Sequence, residues 1–315
     1  MNQQLKKIMQ IKEIPIFLVL VIGCIVVGFL SPFFFATSNI FNVLRQISVY
    51  AILAVGEALI IITGEIDLSI GYMMGLCGVI AALLAKAGMP AVIIFLIVVA
   101  FGAVVSSVSG ILITKFGINS FIATLGVQNI CRGISLLLTG GISIMYKSSV
   151  TKLGSGYVGP MPISSIIMLI VIAVFALFVK YTQAGRNIFA VGSNFKAARF
   201  SGVNGPAVKI MVFAISGALV GLCGIISSGM LKAADPTAGA GYELDAIAAV
   251  VIGGTSMAGG EGTILGVLIG AAIMGVLKNA FVLLKISAYW QVVVLGVVII
   301  AAVFMDSVKR LRADN

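Results

Sequence analysis

The sequence of 315 residues contains no histidine, and only 10% of its residues are charged. Without histidine the chain has no Ser-His-Asp triad, no histidine metal ligand and no histidine proton relay. Soluble domains carry about 25% charged residues, so the chain is not a large soluble domain. No stretch matches the phosphate-binding pattern G-x-x-x-x-G-K-[ST], and the chain therefore does not bind ATP through a P-loop of its own.

Cysteines and acidic residues are also few, and none of them forms a catalytic or metal-binding pattern. The four cysteines stand singly within apolar segments, which indicates buried small side chains rather than disulfides or metal ligands: Cys24, Cys77, Cys131 and Cys223. Glu65 and Asp67 are two residues apart, so on a helix they point in different directions. We therefore predict no catalytic residue, no metal, no cofactor and no enzymatic activity of the chain itself.

Hydrophobic residues, by contrast, make up 61% of the chain, and glycine occupies 37 positions. With a mean hydropathy of +1.22, this composition predicts an all-α polytopic membrane protein, in which small residues let helices approach closely. Apolar stretches long enough to cross a bilayer recur with short polar breaks between them. We predict about ten spans, near 14–35, 47–63, 70–87, 90–113, 120–140, 161–180, 207–231, 244–258, 263–284 and 288–305.

Lysine and arginine are concentrated on one side of this predicted topology. With the N-terminus inside, the cytoplasmic segments contain most of them: Lys6, Lys7, Lys12, Lys115, Lys180, Arg186, Lys196, Arg199, Lys209, Lys309, Arg310 and Arg312. The outside segments contain fewer: Arg45, Lys86, Lys147, Lys152, Lys232 and Lys285. Both termini are therefore predicted to be cytoplasmic, and the net charge of +10 indicates no nucleic-acid partner because no folded basic domain remains. Arg132 falls within a span, where it either snorkels to an interface or pairs with an acid across the bundle.

Short motifs recur in the same order in the two halves of the chain. The pairs are "FATSN" (35–39) with "FAVGSN" (189–194), "GEID" (64–67) with "YELD" (242–245), and "INSF" (118–121) with "ISAY" (286–289). We therefore predict a single membrane domain over 1–315, built of two five-span units near 14–140 and 161–305. An odd number of spans in each unit forces opposite orientations, which predicts the inverted repeats found in many transporters.

Two predicted spans are interrupted by glycine, hydroxyl and acidic residues, at 62–71 and 251–263. Irregular backbone inside a bilayer is tolerated where it is buried in protein or lines a water-filled cavity. Acids near these breaks either cap the helices that follow or contact a solute, and we favour capping, since a helix N-terminus stabilises negative charge. We predict that these segments, together with the acids that precede the second one, form a gate or pathway wall. Its residues are Asp67, Ser69, Glu243, Asp245, Gly253, Gly254, Thr255 and Ser256.

One predicted cytoplasmic loop, "KYTQAGRNIFAVGSNFKAARFSGVNGPAVK" at 180–209, is basic and far longer than a connector needs. It contains the helix-forming stretch "NFKAARF", which Asn194 can cap and Gly202 can end. From these residues alone, the loop is either an interfacial helix on anionic lipid or a docking element for a cytoplasmic partner.

At these motifs the sequence resembles the membrane subunit of ribose-type ABC importers, a permease family for ribose, xylose, galactose and related solutes. Five ordered stretches carry the resemblance: "ALIIITGEIDLSIG" (58–71), "FIATLGVQNICRGISLLLTGG" (121–141), "GRNIFAVGSNFKAARFSGV" (185–203), "GYELDAIAAVVIGGTSMAGGEGTILG" (241–266) and "AYWQVVVLGVVIIAAV" (288–303). They cover nearly the whole chain. One departure is visible, because the family usually has G-G-I-D-L-S where this chain has an acid at Glu65.

The resemblance implies a ten-helix permease of the bacterial inner membrane that works as a homodimer around a central pathway by alternating access. It also implies a cytoplasmic ATPase, often of tandem-domain type, and an external sugar-binding protein. The long loop then corresponds to the family's coupling helix, which sits in a cleft of the ATPase. Carried onto this chain, the coupling residues are Gly192, Asn194, Lys196, Ala197, Arg199 and Gly202.

By the repeat argument, "TSNIFNVLRQ" within 36–46 is the external mirror of this loop, and Asn42 is expected near the docked binding protein. The competing interpretations are an ion-coupled secondary transporter, a membrane receptor or scaffold, and a permease for nucleosides or branched-chain amino acids. Dependence of transport on an ATPase separates the first two alternatives from an ABC permease.

Overall fold

A computed structural model describes residues 13–313 of the chain, and almost all regular structure in it is helical. Within this range, seven helices are long and apolar enough to cross a membrane. They are α1 (Glu13–Leu30), α2 (Thr37–Ile62), α4 (Ala91–Phe116), α5 (Ser120–Thr139), α7 (Ile163–Tyr181), α10 (Gly205–Leu231) and α12 (Ile264–Leu283). The prediction of an all-α, multi-span membrane protein is confirmed.

The other helices are shorter, less apolar or less regular. They are α3 (Ile70–Lys86), α6 (Lys152–Ser155), α8 (Gln183–Ser193), α9 (Phe195–Phe200), α11 (Tyr242–Ile252) and α13 (Ala288–Ala313). At 1.5 Å per residue, α3 is about 26 Å long and α11 about 16 Å, both shorter than the roughly 30 Å hydrocarbon core. The ten-span topology therefore stays a prediction.

Some boundaries differ from the predicted ones for identifiable reasons. The second span begins at Thr37 rather than 47, because tertiary contacts satisfy the polar side chains of its first turns: Asn39 bonds Asn279, and Arg45 donates to the Gly154 and Met230 carbonyls. The eighth span ends at Ile252 rather than 258 because Gly254, with φ of +85°, turns the chain out of the helix. The first span likewise ends early, at Leu30.

The core of the bundle is α2, which packs against α7, α10, α11 and α12. From Ser48 to Ile62 every residue of α2 is buried. Helix α10 runs along α4, and the two backbones meet at Gly102 and Gly217, where a Cβ on either glycine would overlap the carbonyl of the other. Small residues thus bring these helices into close contact, as is usual in membrane bundles. Helix α1, in contrast, exposes most of its apolar side chains at the edge of the bundle.

Two small strand pairs close the connections on the predicted outer side. Strand β1 (Ile144–Met145) pairs antiparallel with β4 (Ala233–Ala234), with Ile144 opposite Ala234. Strands β2 (Tyr157–Val158) and β3 (Met161–Pro162) form the second pair. A 3-10 turn at Ser149–Thr151 precedes α6. The β1–β4 pair joins the α5–α7 connection to the segment that enters α11.

The predicted orientation depends partly on basic residues that the structure does not describe. Lys6, Lys7 and Lys12 lie outside the described residues. The side chains of Lys309, Arg310 and Arg312, at the end of α13, are likewise not described.

Candidate translocation site and cytoplasmic docking helices

The chain between α2 and α3, residues 63–69, folds back beside the last turns of α2. The backbone N–H of Asp67 donates to Glu57 Oε1 at 3.1 Å, and the N–H of Leu68 donates to Thr124 Oγ1 of α5 at 3.1 Å. Asp67 Oδ1 accepts from the backbone N–H and the hydroxyl of Ser69, at 2.8 and 2.6 Å. Because Glu57 lies five residues before the end of α2, the chain runs back along the last turns of α2 before α3 begins. We call residues 63–69 the inner segment.

Residues 232–241, which we call the outer segment, enter the bundle from the opposite side and lead into α11. Asp235 Oδ1 accepts from the N–H and the hydroxyl of Thr237, both at 2.7 Å. These bonds, the backbone N–H of Thr237 first, lower the pKa of Asp235 below its usual value. Further on, Gly239 packs directly against the backbone of Gly71, so the outer segment reaches the first turn of α3.

The two interrupted helices therefore begin side by side. Glu243, in the first turn of α11, lies against Gly71 of α3, where an added Cβ would overlap its carboxylate. Glu243 Oε1 also accepts from Gln128 Nε2 of α5 at 3.2 Å. The structure thus brings α3, α5 and α11 together around one buried acid.

Asp245, two residues further on, belongs to a different cluster. It forms an ion pair with Lys278 of α12, whose ammonium lies 4.7 Å from the Tyr50 ring centre and 5.8 Å from that of Tyr242. The two tyrosine rings stack at 5.0 Å. The motif match of "GEID" with "YELD" does not extend to equivalent positions, because Asp67 precedes α3 whereas Asp245 lies within the first turn of α11.

The eight residues predicted for a gate or pathway wall fall in three places. Asp67 and Ser69 are fully buried in the inner segment. Glu243 and Asp245 are buried at the start of α11. The four others follow the end of α11: Gly253, Gly254, Thr255 and Ser256. Thr255 of that group lies near the end of α2, because Gly262 packs against the side chains of both Thr255 and Ile62.

The predicted coupling loop forms two helices rather than one. Thr182 caps α8 by accepting from the Gly185 N–H at 3.0 Å, and Asn194 caps α9 by accepting from the Ala197 N–H at 2.9 Å. The capping by Asn194 and the helix over "FKAARF" confirm the sequence prediction, and Gly202, with φ of +83°, follows the end of α9. Helix α8 was not predicted, although its small buried face of Gly185, Ile188 and Val191 fits helical spacing.

Helix α9 presents a basic and aromatic surface to solvent. The exposed coupling residues are Asn194, Lys196, Ala197, Arg199 and, just after the helix, Gly202. Phe200 is 92% exposed, the largest value for a phenylalanine in the described chain. An exposed aromatic side chain next to two cations is typical of a protein-docking surface. We refer to α8 and α9 together as the docking helices.

The docking helices contact both interrupted regions directly. Gly192 packs against the Ile62 carbonyl at the end of α2, and Gly260 packs against Ser193. Glu65 of the inner segment pairs with Lys209 of α10, whose ammonium lies 5.3 Å from the ring centre of Phe195 in α9. The acid that departs from the family pattern thus joins the inner segment to the docking helices through one lysine.

Sequence reasoning missed several of these residues. Glu57 and Lys278 stand in apolar runs without a motif, and only their isolation as charges within predicted spans marks them. Gln128 lies in a matched motif and Tyr72 directly follows one, but neither had an assigned role. Arg132 lies with its guanidinium 5.3 Å from the centre of the Tyr72 ring, rather than against an acid of the described chain.

A multi-helix membrane bundle with two interrupted helices and an exposed basic helix pair is the architecture of a membrane permease. The family model described as branched-chain amino acid transport system / permease component matches residues 39–303. The chain belongs to this permease family. It is therefore a transport component rather than an enzyme, located in the inner membrane, which it crosses several times.

Curated relatives match almost from end to end. The ribose import permease protein of Haemophilus influenzae is 43% identical, with 92% of each chain covered. The ribose import permease protein of Bacillus subtilis is 40% identical, over 93% of this chain and 92% of the relative. The galactose/methyl galactoside import permease protein of Escherichia coli is 37% identical over 96% of each. The resemblance seen in the sequence is confirmed, and no solved structure shows significant similarity to the chain.

Proposed function

We propose that this chain is the membrane permease of an ATP-driven importer that moves a monosaccharide into the cytoplasm by alternating access. Relatives named for ribose, galactose and allose import support a sugar rather than a branched-chain amino acid or a nucleoside. The observation that carries the mechanism is the direct contact of the docking helices with the interrupted segments, at Gly192 on Ile62 and at Lys209 between Glu65 and Phe195.

In this proposal the chain crosses the membrane ten times as two inverted five-helix units, α1–α5 and α7 with α10–α13. Helix packing supports it, because the main contacts among α2–α5 and α10–α12 recur when each of these helices is exchanged for its counterpart among α10–α13 and α2–α4. Helix α4 packs on α10 as α12 packs on α2, and α3 packs on α10 as α11 packs on α2. Similarly, α3 packs on α4 and α5 as α11 packs on α12 and α13.

The ATPase docks on the exposed side of α9, where Lys196 and Arg199 supply charge and Phe200 supplies apolar area. Movement of the docking helices reaches the ends of α2 and α11 through the contacts of Gly192 and Ser193, and the inner segment through Lys209. A second copy of the chain completes a central pathway, and a binding protein docks outside, near the exposed Asn42. Membrane lipid surrounds the apolar outer faces of α1 and α4.

The predicted gate residues act in different ways in this mechanism. Glu243 borders the pathway at the start of α11. Asp67, Ser69 and Asp245 hold the interrupted helices in place through their buried bonds and ion pair. The Gly253–Ser256 turn forms the cytoplasmic end of the wall, next to the docking helices, and moves with them.

Reconstitution with the ATPase and binding protein of the same transport system tests the proposal. Uptake of radiolabelled D-ribose, D-galactose and D-allose into proteoliposomes is measured with and without ATP. We expect ATP-dependent uptake of at least one sugar by the wild type and about tenfold less for Arg199→Glu or Phe200→Ala. The matched control is Lys115→Glu, an exposed lysine at the end of α4 outside the docking helices.

Each alternative outcome has a definite meaning. Sugar uptake by the chain without the ATPase, driven by an ion gradient, contradicts the proposal in favour of a secondary transporter. Equal losses in Arg199→Glu and Lys115→Glu contradict the docking role of α9. Crosslinking from Asn42→Cys to the binding protein tests whether the binding protein docks near Asn42. Consistent failure, with successful crosslinks from other positions, contradicts this docking position.

A further inference from the structure

Helix α5 carries polar side chains on a surface that the single chain does not cover. Arg132 is exposed, and Gln128, one turn earlier, is partly exposed. A charged side chain at the centre of a membrane helix costs about 2.5–3.5 kcal/mol on insertion scales, so such a residue faces protein or water rather than lipid. This part of α5 is therefore expected to face a partner copy or the water of the proposed pathway.

Both side chains are held by residues at the starts of the two interrupted helices. Gln128 donates to Glu243 at the start of α11, and the Arg132 guanidinium lies over the ring of Tyr72 at the start of α3. Residues 128 and 132 are one helical turn apart, so the two contacts lie next to each other on one side of α5. Four residues from three helices thus form one polar surface.

Glu243 has a capacity for further bonding that the described chain does not use. Only 8% of the Glu243 surface is exposed. Its Oε1 is paired with Gln128, while its Oε2 lies against Gly71 and has no hydrogen-bond partner among the described residues. A buried polar atom of this kind is costly unless a ligand or water pairs with it. The site also contains an open cation, Arg132, and an aromatic ring that is partly exposed, Tyr72.

We propose that Tyr72, Gln128, Arg132 and Glu243 form a contact site for an uncharged monosaccharide in the pathway, which rests on the sugar import proposed above. A carboxylate and an amide pair with neighbouring hydroxyl groups, and a guanidinium donates to ring or hydroxyl oxygens. A tyrosine ring packs against the apolar C–H face of a sugar. One cation and one anion balance each other, so the site favours a neutral solute over an ion.

The position of the site agrees with this role. The starts of α3 and α11 meet at Gly71 and Glu243, inside the bundle, where the two proposed repeats face each other. Solute sites of repeat-built transporters lie at such junctions of discontinuous helices. Hydrogen-bonding groups placed there discriminate between sugars, because a solute that lacks the matching hydroxyl leaves a buried polar group unpaired.

Site variants in the assembled transporter test the inference. Gln128→Leu and Arg132→Met are compared with Asn129→Leu, which makes the same kind of polar-to-apolar change on α5. Asn129 is exposed and donates only to the Leu125 carbonyl of its own helix among the hydrogen bonds observed in the described chain, so it is a suitable control. Uptake of radiolabelled D-ribose, D-galactose and D-allose is measured together with basal ATP hydrolysis. We expect uptake of the preferred sugar to fall by about tenfold in both site variants and the ratio between sugars to change. Uptake and basal hydrolysis of Asn129→Leu stay at the wild-type level.

Conservative variants keep the test informative if an apolar substitution disturbs assembly. Arg132→Lys and Gln128→Asn keep the cation and the amide donor, and are expected to keep more uptake than the apolar variants while changing the preference between sugars. If all four site variants show normal uptake and an unchanged preference between sugars, the proposed contact site is wrong. The proposed import function would stand, because the wild type still imports sugar. Absence of ATP-dependent uptake of any of the three sugars by the wild type overturns the proposed function, and this site with it.

Discussion

The inner and outer segments contain the same local hydrogen-bond motif in opposite surroundings. In each, an aspartate Oδ1 accepts from the N–H and the hydroxyl of the residue two positions later, Asp67 with Ser69 and Asp235 with Thr237. Asp67 and Ser69 are 0% exposed, whereas Asp235 and Thr237 are reached by solvent. The two motifs should therefore contribute differently to stability. An unpaired polar group costs far more where water cannot replace the lost partner.

The two segments also differ in what they are connected to. The inner segment is tied to the docking helices through Glu65, Lys209 and Phe195 and to α5 through Thr124. The outer segment is joined to the β1–β4 strand pair, on the predicted outer side. We infer that the inner segment transmits movement from the ATPase side, while the outer segment supports the start of α11 against α3.

The largest effect is expected at Gly71, where the outer segment meets the first turn of α3, two residues after the end of the inner segment. A side chain at this position collides with the Gly239 carbonyl and the Glu243 carboxylate, and the backbone of the outer segment cannot rotate away. Gly71→Val should destabilise the fold by about 3 kcal/mol or more, with loss of monodisperse protein in size-exclusion chromatography.

Gly23→Val in α1 is the matched control, because an added Cβ there meets no atom within 4 Å. It should leave chromatography and thermal unfolding unchanged. If Gly71→Val purifies and unfolds like Gly23→Val, the close contact of the outer segment with the start of α3 is wrong.

The next largest effect is the difference in stability loss between removing the buried aspartate and removing the exposed one. Asp67→Ala removes the acceptor of two buried donors and should lower the free energy of unfolding by about 1–3 kcal/mol. Asp235→Ala should have a much smaller effect, because water satisfies the donors of Thr237. Thermal unfolding in detergent measures the loss of stability in both alanine variants. Asp67→Asn is the control that keeps an acceptor oxygen. Equal losses at both aspartates would show that burial does not determine how much the motif stabilises the fold.

A charge exchange tests the connection that only the inner segment is proposed to make. Glu65→Lys and Lys209→Glu should each lower ATP-dependent uptake by about fivefold, since a disrupted, largely buried ion pair costs about 1 kcal/mol or more. The double variant restores opposite charges and should recover most of the uptake. No recovery in the double variant, at normal protein levels, would rule out the pair as a transmitting contact.

The smallest effect concerns pH and the exposed motif. The hydrogen bonds from Thr237 lower the pKa of Asp235, so the ionised carboxylate stabilises the folded state above its unfolded pKa of about 3.9. This contribution is lost as the pH falls through the lower folded pKa. The difference in thermal stability between wild type and Asp235→Asn should therefore favour the wild type at neutral pH and shrink in acid, and a difference that grows in acid would contradict the lowered pKa.

Sequence reasoning succeeded where local pattern decides structure. The apolar stretches lie where long helices form, and Asn194 caps α9 because an Asn side chain needs only the next turn of its own helix as a partner. It failed at the start of α2, where "TSNIFNVLRQ" reads as a loop but is helical. Its polar side chains find partners in α12, α6 and α10, which lie far away in sequence.

The same division holds for the candidate site. Composition and hydropathy determined by themselves that the chain is a membrane protein of many helices, because burial of apolar segments in lipid depends on little more than their length and charge. The motifs also marked the interrupted segments and the docking loop. Only the tertiary structure decided that Glu243 meets Gln128, that Arg132 lies on Tyr72 and that Glu65 joins Lys209. Those contacts join residues 60 or more positions apart, and their geometry follows from close glycine packing between helices, which no local pattern encodes.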